Sequence, residues 1–230
     1  MTTIPGNLQH VRARIATACQ RAGRGVEEVT LLAVSKTFGA DAVRAAAAAG
    51  QRAFGENYIQ EGVEKIAALR DLGLMWHCIG PIQSNKTRLV AEHFDWVHTV
   101  DRLKIAERLS AQRPADRPPL NVCIQVNIDG GANKSGVAPG EALALARAVA
   151  ALPQLKLRGL MSIPEIAPDF EAARAVHASA KALFDQLNAD GLGLDTLSMG
   201  MSDDLEAAIA AGSTMVRIGT AIFGSRAPKP

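Results

Sequence analysis

The chain has 230 residues, with 25 Lys and Arg against 23 Asp and Glu, and therefore a formal net charge of +2. This near balance disfavours a nucleic-acid-binding module, which needs a basic face, and an aromatic content of 4% offers few side chains for base stacking. A hydrophobic content of 48% indicates a folded protein. We expect one domain over residues 1–230, with a frayed tail at 226–230.

The sequence features that report on location indicate the cytoplasm. The three cysteines, Cys19, Cys78 and Cys123, are odd in number and far apart, which suits a reducing compartment. The N-terminal residues lack a basic and apolar leader, and no apolar run reaches the roughly 18 residues of a membrane span. The five histidines show no metal-ligand spacing, so we expect no metal site.

An amphipathic segment at 8–21 is followed by alternating apolar runs and helical patterns. The predicted strands are 29–35, 52–55, 75–79, 96–100, 121–127, 156–163, 196–199 and 215–218. The predicted helices are 40–49, 59–72, 85–93, 102–112, 140–152, 170–188 and 203–211. Such alternation predicts a parallel sheet, because parallel neighbours need crossover connections.

The number of strands favours an α/β fold of the (β/α)8 TIM barrel type with an additional N-terminal helix. The alternative is an open doubly wound sheet. That fold usually carries a glycine-rich turn after its first strand, whereas residues 35–39 read SKTFG.

Lys36 is the most informative single residue, because it directly follows the apolar first strand. Desolvation at the mouth of a barrel would lower the pKa of its amine and favour Schiff bases with carbonyl compounds or pyridoxal phosphate (PLP). The alternative is a lysine whose stem covers the core while its amine reaches water.

The last two strands end in residues that suit a phosphate. Gly200 and Gly219 would let backbone N–H groups approach an anion, Ser202 has the chemistry of an N-cap for the helix 203–211, and Thr220 adds a donor. The alternative is that Ser202 only caps a helix and the glycines only form turns.

Arg217 lies inside the last predicted strand. Its guanidinium is suited to the ring nitrogen of a cofactor, with a strand-end salt bridge as the alternative. Met201 is expected in the core or the pocket wall. Lys86 and Lys134 are left open as a secondary anion site. The stretch 131–135 (GANKS) lacks the glycine before the lysine of a Walker motif.

Several long motifs resemble the pyridoxal phosphate homeostasis proteins, over nearly the whole chain. They are 34–37 (VSKT), 54–58 (FGENY), 76–77 (WH), 79–80 (IG), 83–86 (QSNK), 197–202 (LSMGMS) and 216–224 (VRIGTAIFG). The resemblance implies a barrel similar to the N-terminal barrel of alanine racemase, with PLP on Lys36 and Arg217 at the ring nitrogen. It also implies phosphate contacts from Ser202, Gly219 and Thr220, with Asn57 beside the ring and Met201 in the cofactor site.

The resemblance implies a PLP-binding protein of intracellular vitamin B6 homeostasis, with PLP-dependent apo-enzymes as candidate partners. We expect a monomeric carrier rather than an enzyme, because a racemase needs a second base and the chain has one tyrosine, Tyr58. Two alternatives stay open. One is a racemase-like PLP enzyme that uses Tyr58 or Cys78, and the other is a class I aldolase that binds a sugar phosphate through Lys36.

Overall fold

The computed structural model describes residues 3–131 and 135–225 and shows a closed barrel of eight parallel strands. The strands are β1 (Thr30–Val34), β2 (Ala53–Glu56), β3 (Met75–Cys78), β4 (Trp96–Val100), β5 (Leu120–Gln125), β6 (Leu155–Met161), β7 (Thr196–Ser198) and β8 (Met215–Ile218). The helices are α1 (Ile4–Arg21), α2 (Ala40–Ala48), α3 (Ile59–Ala68), α4 (Thr87–His93), α5 (Leu103–Gln112), α6 (Ala142–Ala150), α7 (Phe170–Ala189), α8 (Leu205–Ala210) and α9 (Thr220–Phe223). Because β1 pairs with β8, the barrel prediction is confirmed and the open sheet is excluded.

The N-terminal helix α1 packs in the outer layer of helices. Leu8, Val11 and Ile15 share one face of α1 and are buried. The helix begins four residues before the predicted start, because the Thr3 side chain accepts a hydrogen bond from the Gly6 N–H and acts as N-cap. It packs against α8 and α9, next to the ends of β7 and β8.

Two helix ends differ from the sequence prediction for local reasons. The predicted helix 59–72 stops at Ala68 and continues as a 3-10 turn that ends at Gly73, whose φ is 57°. The predicted helix 203–211 begins only at Leu205, with Asp204 at the N-cap position. The prediction that Ser202 caps this helix is therefore wrong, because Ser202 lies two residues too early.

The register between β1 and β8 places the loops that follow these two strands at the same rim of the barrel. Leu32 of β1 is opposite Arg217 of β8, and Ala33 is opposite Ile218. Lys36 and Gly219, which follow these strands, therefore lie at the same carboxyl rim, where barrel proteins bind their ligands.

The interior of the barrel is partly polar. Leu32 and Val34 pack with Ile79 and Met215 on one side. On the other side Trp96, Cys123 and Met161 form a separate apolar cluster. The buried polar side chains His77, His98, Ser198 and Arg217 are also part of this interior.

Two negative findings apply to residues 3–131 and 135–225. Within them, no helix combines the length and the apolar character that a membrane crossing requires. In the same part of the chain, no three His, Cys, Asp or Glu side chains are grouped so as to hold a metal ion.

Candidate functional site

A cavity of about 200 Å³ opens at the carboxyl rim of the barrel. All seven residues that the sequence analysis assigned to a cofactor line it: Lys36, Asn57, Met201, Ser202, Arg217, Gly219 and Thr220. Its volume lies below the roughly 300–1,000 Å³ of pockets for drug-sized ligands, and it suits a compact, single-ring molecule.

Lys36 enters the cavity from the turn after β1. Ser35, just before it, is buried and donates its backbone N–H to the carbonyl of Gly55. This bond continues the β1–β2 pairing to the base of the turn. The Lys36 side chain is half-buried and shares the cavity with Thr220, so the turn brings an amine to the same space as the last crossover.

Arg217 reaches the cavity from within the barrel wall. Its guanidinium donates to Ser198 Oγ at 2.9 Å and to the Ser162 carbonyl at 2.9 Å. These partners are neutral, whereas the alternative considered from the sequence was a salt bridge with a carboxylate. Burial lowers the pKa of Arg217 to about 10, so the group remains protonated at neutral pH. A guanidinium has only donors, so its remaining N–H groups favour an acceptor in a ligand.

A chain of buried hydrogen bonds continues from Arg217 into the interior. Ser198 Oγ lies 2.9 Å from His98 Nδ1, and His98 Nε2 lies 2.9 Å from His77 Nδ1. Desolvation lowers the pKa of His77 to about 3 and that of His98 well below its ordinary value. Both rings are therefore neutral, and because a neutral imidazole has one donor and one acceptor nitrogen, the bonds between Ser198 and His77 all run in one direction.

The opposite end of the cavity is formed by residues that follow β7 and β8. Ser202 Oγ accepts the Ala221 N–H at 3.4 Å, a long bond that ties the two loops together. A Cβ on Gly219 would lie 3.3 Å from the Val34 carbonyl oxygen, so a side chain here would crowd β1. The hydroxyls of Ser202 and Thr220 and the bare backbone of Gly219 suit a phosphate.

Asp204 fixes the loop that carries Ser202. Its carboxylate accepts the Met201 N–H at 2.7 Å and contacts His177 Nε2 of α7 at 2.8 Å. Desolvation acts against ionisation here, but these hydrogen bonds outweigh it and hold the pKa of Asp204 below its ordinary value. Asp204 is therefore a half-buried anchor that ties this loop to α7.

Buried polar atoms without partners give a test of whether a cofactor fits. Among the described residues, Asn57 Oδ1 and Ser162 Oγ have no hydrogen-bond partner. Asn57 lines the cavity, and Ser162 adjoins it through the Arg217 guanidinium. A Cβ on Gly80 would lie 2.1 Å from the Asn57 carbonyl oxygen, so only glycine lets the two loops approach and holds Asn57 there. These unused polar atoms fit a ligand with a polar ring and a phosphate.

Other residues singled out from the sequence lie elsewhere. Gly200 does not line the cavity; its φ is 95° and a Cβ would lie 2.5 Å from that of Ala208, so its role is in the turn and in packing. Lys86 lies in the 3-10 turn before α4 and also outside the lining. Lys134 falls outside the described residues.

The two side chains considered as a second base are poorly placed for that task. Tyr58 is 50% exposed and does not line the cavity. Cys78 is fully buried, and desolvation raises the pKa of its thiol to about 12. Neither residue is presented to a ligand in the cavity.

Some residues of the site were missed by the sequence analysis. Asp203, Phe38 and Ile163 line the cavity, and His98 and Ser198 support Arg217 from behind. Asp203 carried the only local signal, an acid beside Ser202, and it was assigned to a helix instead.

The family model of the alanine racemase N-terminal domain matches residues 6–227. The protein is therefore a barrel of this class. The pyridoxal phosphate homeostasis protein of Pseudomonas aeruginosa is 63% identical over 226 residues, covering 98% of this chain and 97% of that protein. The Escherichia coli K12 protein of the same name is 59% identical, covering 98% of each chain. The chain therefore belongs to the family of pyridoxal phosphate homeostasis proteins.

Solved structures agree with this assignment. PipY of Synechococcus elongatus without PLP is 39% identical with a TM-score of 0.85, covering 96% of this chain and all of that chain. The PLP-bound PipY structure has a TM-score of 0.80 and covers 91% of this chain and all of that one. Alanine racemase of Corynebacterium glutamicum is 22% identical with a TM-score of 0.64, covers 94% of this chain and 60% of that one, and shows a shared fold.

Proposed function

We propose that this protein binds PLP in the Lys36 cavity and takes part in intracellular PLP homeostasis. The observation that carries the proposal is the convergence of an amine, a buried guanidinium and two hydroxyls on one small cavity. The names of the relatives and the PLP-bound PipY structure support it.

Each group has a role that follows from its chemistry. The Lys36 amine would bond to the aldehyde of PLP, and Arg217 would donate to the ring nitrogen. The phosphate would lie against Ser202, Thr220 and Gly219. When bound, PLP supplies an electrophilic aldehyde and an electron-accepting ring. A donor-only partner such as Arg217 leaves the ring nitrogen unprotonated, which makes that ring a weaker electron acceptor. This arrangement suits storage of the cofactor better than demanding carbanion chemistry.

We further propose that the protein works as a monomer in the cytoplasm and passes PLP to apo-enzymes. The three described thiols, Cys19, Cys78 and Cys123, are buried and unbridged, which suits a reducing compartment. Lys36 is half-buried at the rim, which suits a reversible bond to PLP that an apo-enzyme can replace.

The test is the absorption spectrum of the purified chain with and without added PLP. We expect a visible-range band that is lost in Lys36→Ala, because the amine that holds the aldehyde is removed. The control is Lys156→Ala, an exposed lysine at the start of β6 and so at the opposite rim of the barrel, which should keep the band.

Three results would contradict the proposal. A wild-type protein without a band at saturating PLP would remove the cofactor assignment. Rapid deuterium exchange at the α-carbon of an amino acid, dependent on Lys36, would favour the racemase-like enzyme over the carrier. Borohydride trapping of a sugar phosphate instead of pyridoxal would favour the aldolase.

A further inference from the structure

The turn that carries Lys36 is held in an unusual backbone conformation. Thr37, the next residue, has a φ of 69°, in the left-handed region that non-glycine residues rarely adopt. A β-branched residue keeps such a conformation only where its surroundings impose it. Something outside the turn must therefore supply the restraint.

A buried charged cluster behind the turn supplies it. Lys65 of α3 donates from Nζ to the Ser35 carbonyl at 2.8 Å, to Glu56 Oε1 at 2.8 Å and to Glu61 Oε1 at 2.6 Å. Ser35 Oγ donates to the same Glu56 oxygen at 2.6 Å. The Thr37 N–H donates to Glu61 Oε1 at 2.7 Å. The cluster thus holds the residue on each side of Lys36.

The three charged side chains of this cluster do not line the cavity. The Glu56 side chain has 0% exposure and that of Lys65 has 6%, whereas Glu61 keeps 31%. Desolvation raises the pKa of Glu56, and Lys65 opposes this shift. A buried ion pair is weak evidence for stability, since apolar residues of similar size often serve as well. Its geometry around Lys36 calls for another explanation.

We propose that Glu61 and Lys65 are positioning residues for the Lys36 amine, acting through the backbone of Thr37 and Ser35. Glu56 anchors Lys65 within the barrel wall. This inference rests on the proposed function, because the aim of the positioning is the bond between Lys36 and the aldehyde of PLP. Because Glu56, Glu61 and Lys65 do not line the cavity, their removal should affect the bond to the aldehyde more than the contacts with the ring and the phosphate.

The first test compares two ligands in Glu61→Ala. PLP can bond to Lys36, whereas pyridoxine 5′-phosphate has the same ring and phosphate but no aldehyde. We expect the affinity for PLP to fall about tenfold, the size of effect that the loss of a charge-assisted hydrogen bond produces. The affinity for pyridoxine 5′-phosphate should not change. Both are measured by titration of the full chain.

Two further variants complete the comparison. Glu61→Gln keeps an acceptor for the Thr37 N–H and should restore PLP affinity close to the wild-type value. Glu64→Ala removes an exposed carboxylate of the same helix that accepts a hydrogen bond from Gln60, and it should leave the affinity for both ligands unchanged. Equal weakening of both ligands in Glu61→Ala would overturn the inference, because it would show a general loss of structure.

A second readout does not depend on PLP. In the cofactor-free protein, the rate of reductive methylation of Lys36, measured by peptide mass spectrometry against that of Lys104, reports the placement of the amine. We expect this ratio to change in Glu61→Ala and not in Glu64→Ala. An unchanged ratio would overturn the positioning inference. Failure of the wild type to bind PLP would overturn the proposed function, and the methylation ratio would still decide whether Glu61 places the Lys36 amine.

Discussion

At the scale of single residues, a substitution of Ser202 tests binding of the phosphate group separately from binding of the pyridine ring. Its hydroxyl lies in the cavity and accepts a long bond of 3.4 Å from the Ala221 N–H. In Ser202→Ala we expect PLP affinity to fall about tenfold, the effect of one lost hydrogen bond to a charged group. Affinity for pyridoxal, which has no phosphate, should stay the same.

The measurement is a pair of titrations on one protein preparation. Ser179→Ala, an exposed serine on α7, is the matched control and should alter neither affinity. An equal loss for pyridoxal and PLP would move Ser202 away from the phosphate and would require a different assignment.

The residues that the sequence could supply lie in the last strand or in the loops that follow strands. Lys36, Ser202 and Thr220 were found because each stands just beyond an apolar run. The contact between His98 and Ser198 was not predicted, because it joins positions 100 residues apart and no local pattern records it. Glu61 was missed for a related reason, since its role depends on the backbone of a neighbouring crossover.

At the scale of elements, the loop between β7 and α8 depends on the Asp204 carboxylate. Its pKa is held below its ordinary value of 3.8, so the ionised form stabilises the folded state. This contribution is present above about pH 3.8, and it is lost as the pH falls through the lower pKa of the folded protein. In Asp204→Asn we expect the free energy of unfolding to fall by about 1–3 kcal/mol at neutral pH.

Denaturant titrations from pH 7 down to pH 3 check this expectation. The difference between wild type and Asp204→Asn should narrow below about pH 3.8, where the unfolded aspartate takes up its proton. Asp203→Asn, next in the chain and without the His177 contact, serves as control. A difference that stays constant across the whole pH range would contradict the ionic role of Asp204.

The existence and order of the elements followed from sequence, whereas several of their ends did not. The apolar runs located all eight strands because both faces of a parallel barrel strand are buried. The start of α8 was misplaced because Ser202, Asp203 and Asp204 are all residue types that cap helices, and the local sequence does not choose among them. The helix α9 has four residues, too few for a periodic pattern.

At the scale of the whole molecule, the neutral histidines inside the barrel couple stability to pH. The pKa of His77 falls from 6.5 in a free side chain to about 3 in the folded protein. Between these values the unfolded chain binds a proton that the folded chain does not, so stability decreases as the pH falls below 6.5. One such group contributes a slope of about 1.4 kcal/mol per pH unit.

We expect His77→Phe to reduce the slope of unfolding free energy between pH 4.5 and 6 by up to about 1.4 kcal/mol per pH unit. Phenylalanine keeps a ring against Trp96, on which His77 is stacked. His10→Gln, at an exposed position of α1, serves as the control. An unaltered slope in His77→Phe would show that His77 takes up a proton in the folded protein.

The overall architecture was predictable because eight alternating units with buried strands have few other solutions. The polar chain from Arg217 to His77 was not predictable. Whether a strand histidine points into the barrel or outward depends on register, and a shift of one residue reverses it.

Closure of the barrel between β1 and β8 has a consequence for synthesis of the protein. Lys36 is made early and Gly219 nearly two hundred residues later, yet both line one cavity. In the proposed function, a growing chain on the ribosome therefore carries the Lys36 amine long before it carries the loop proposed for the phosphate. Binding of PLP would then wait until the final crossover has emerged and docked, so a protein that holds PLP would be fully folded.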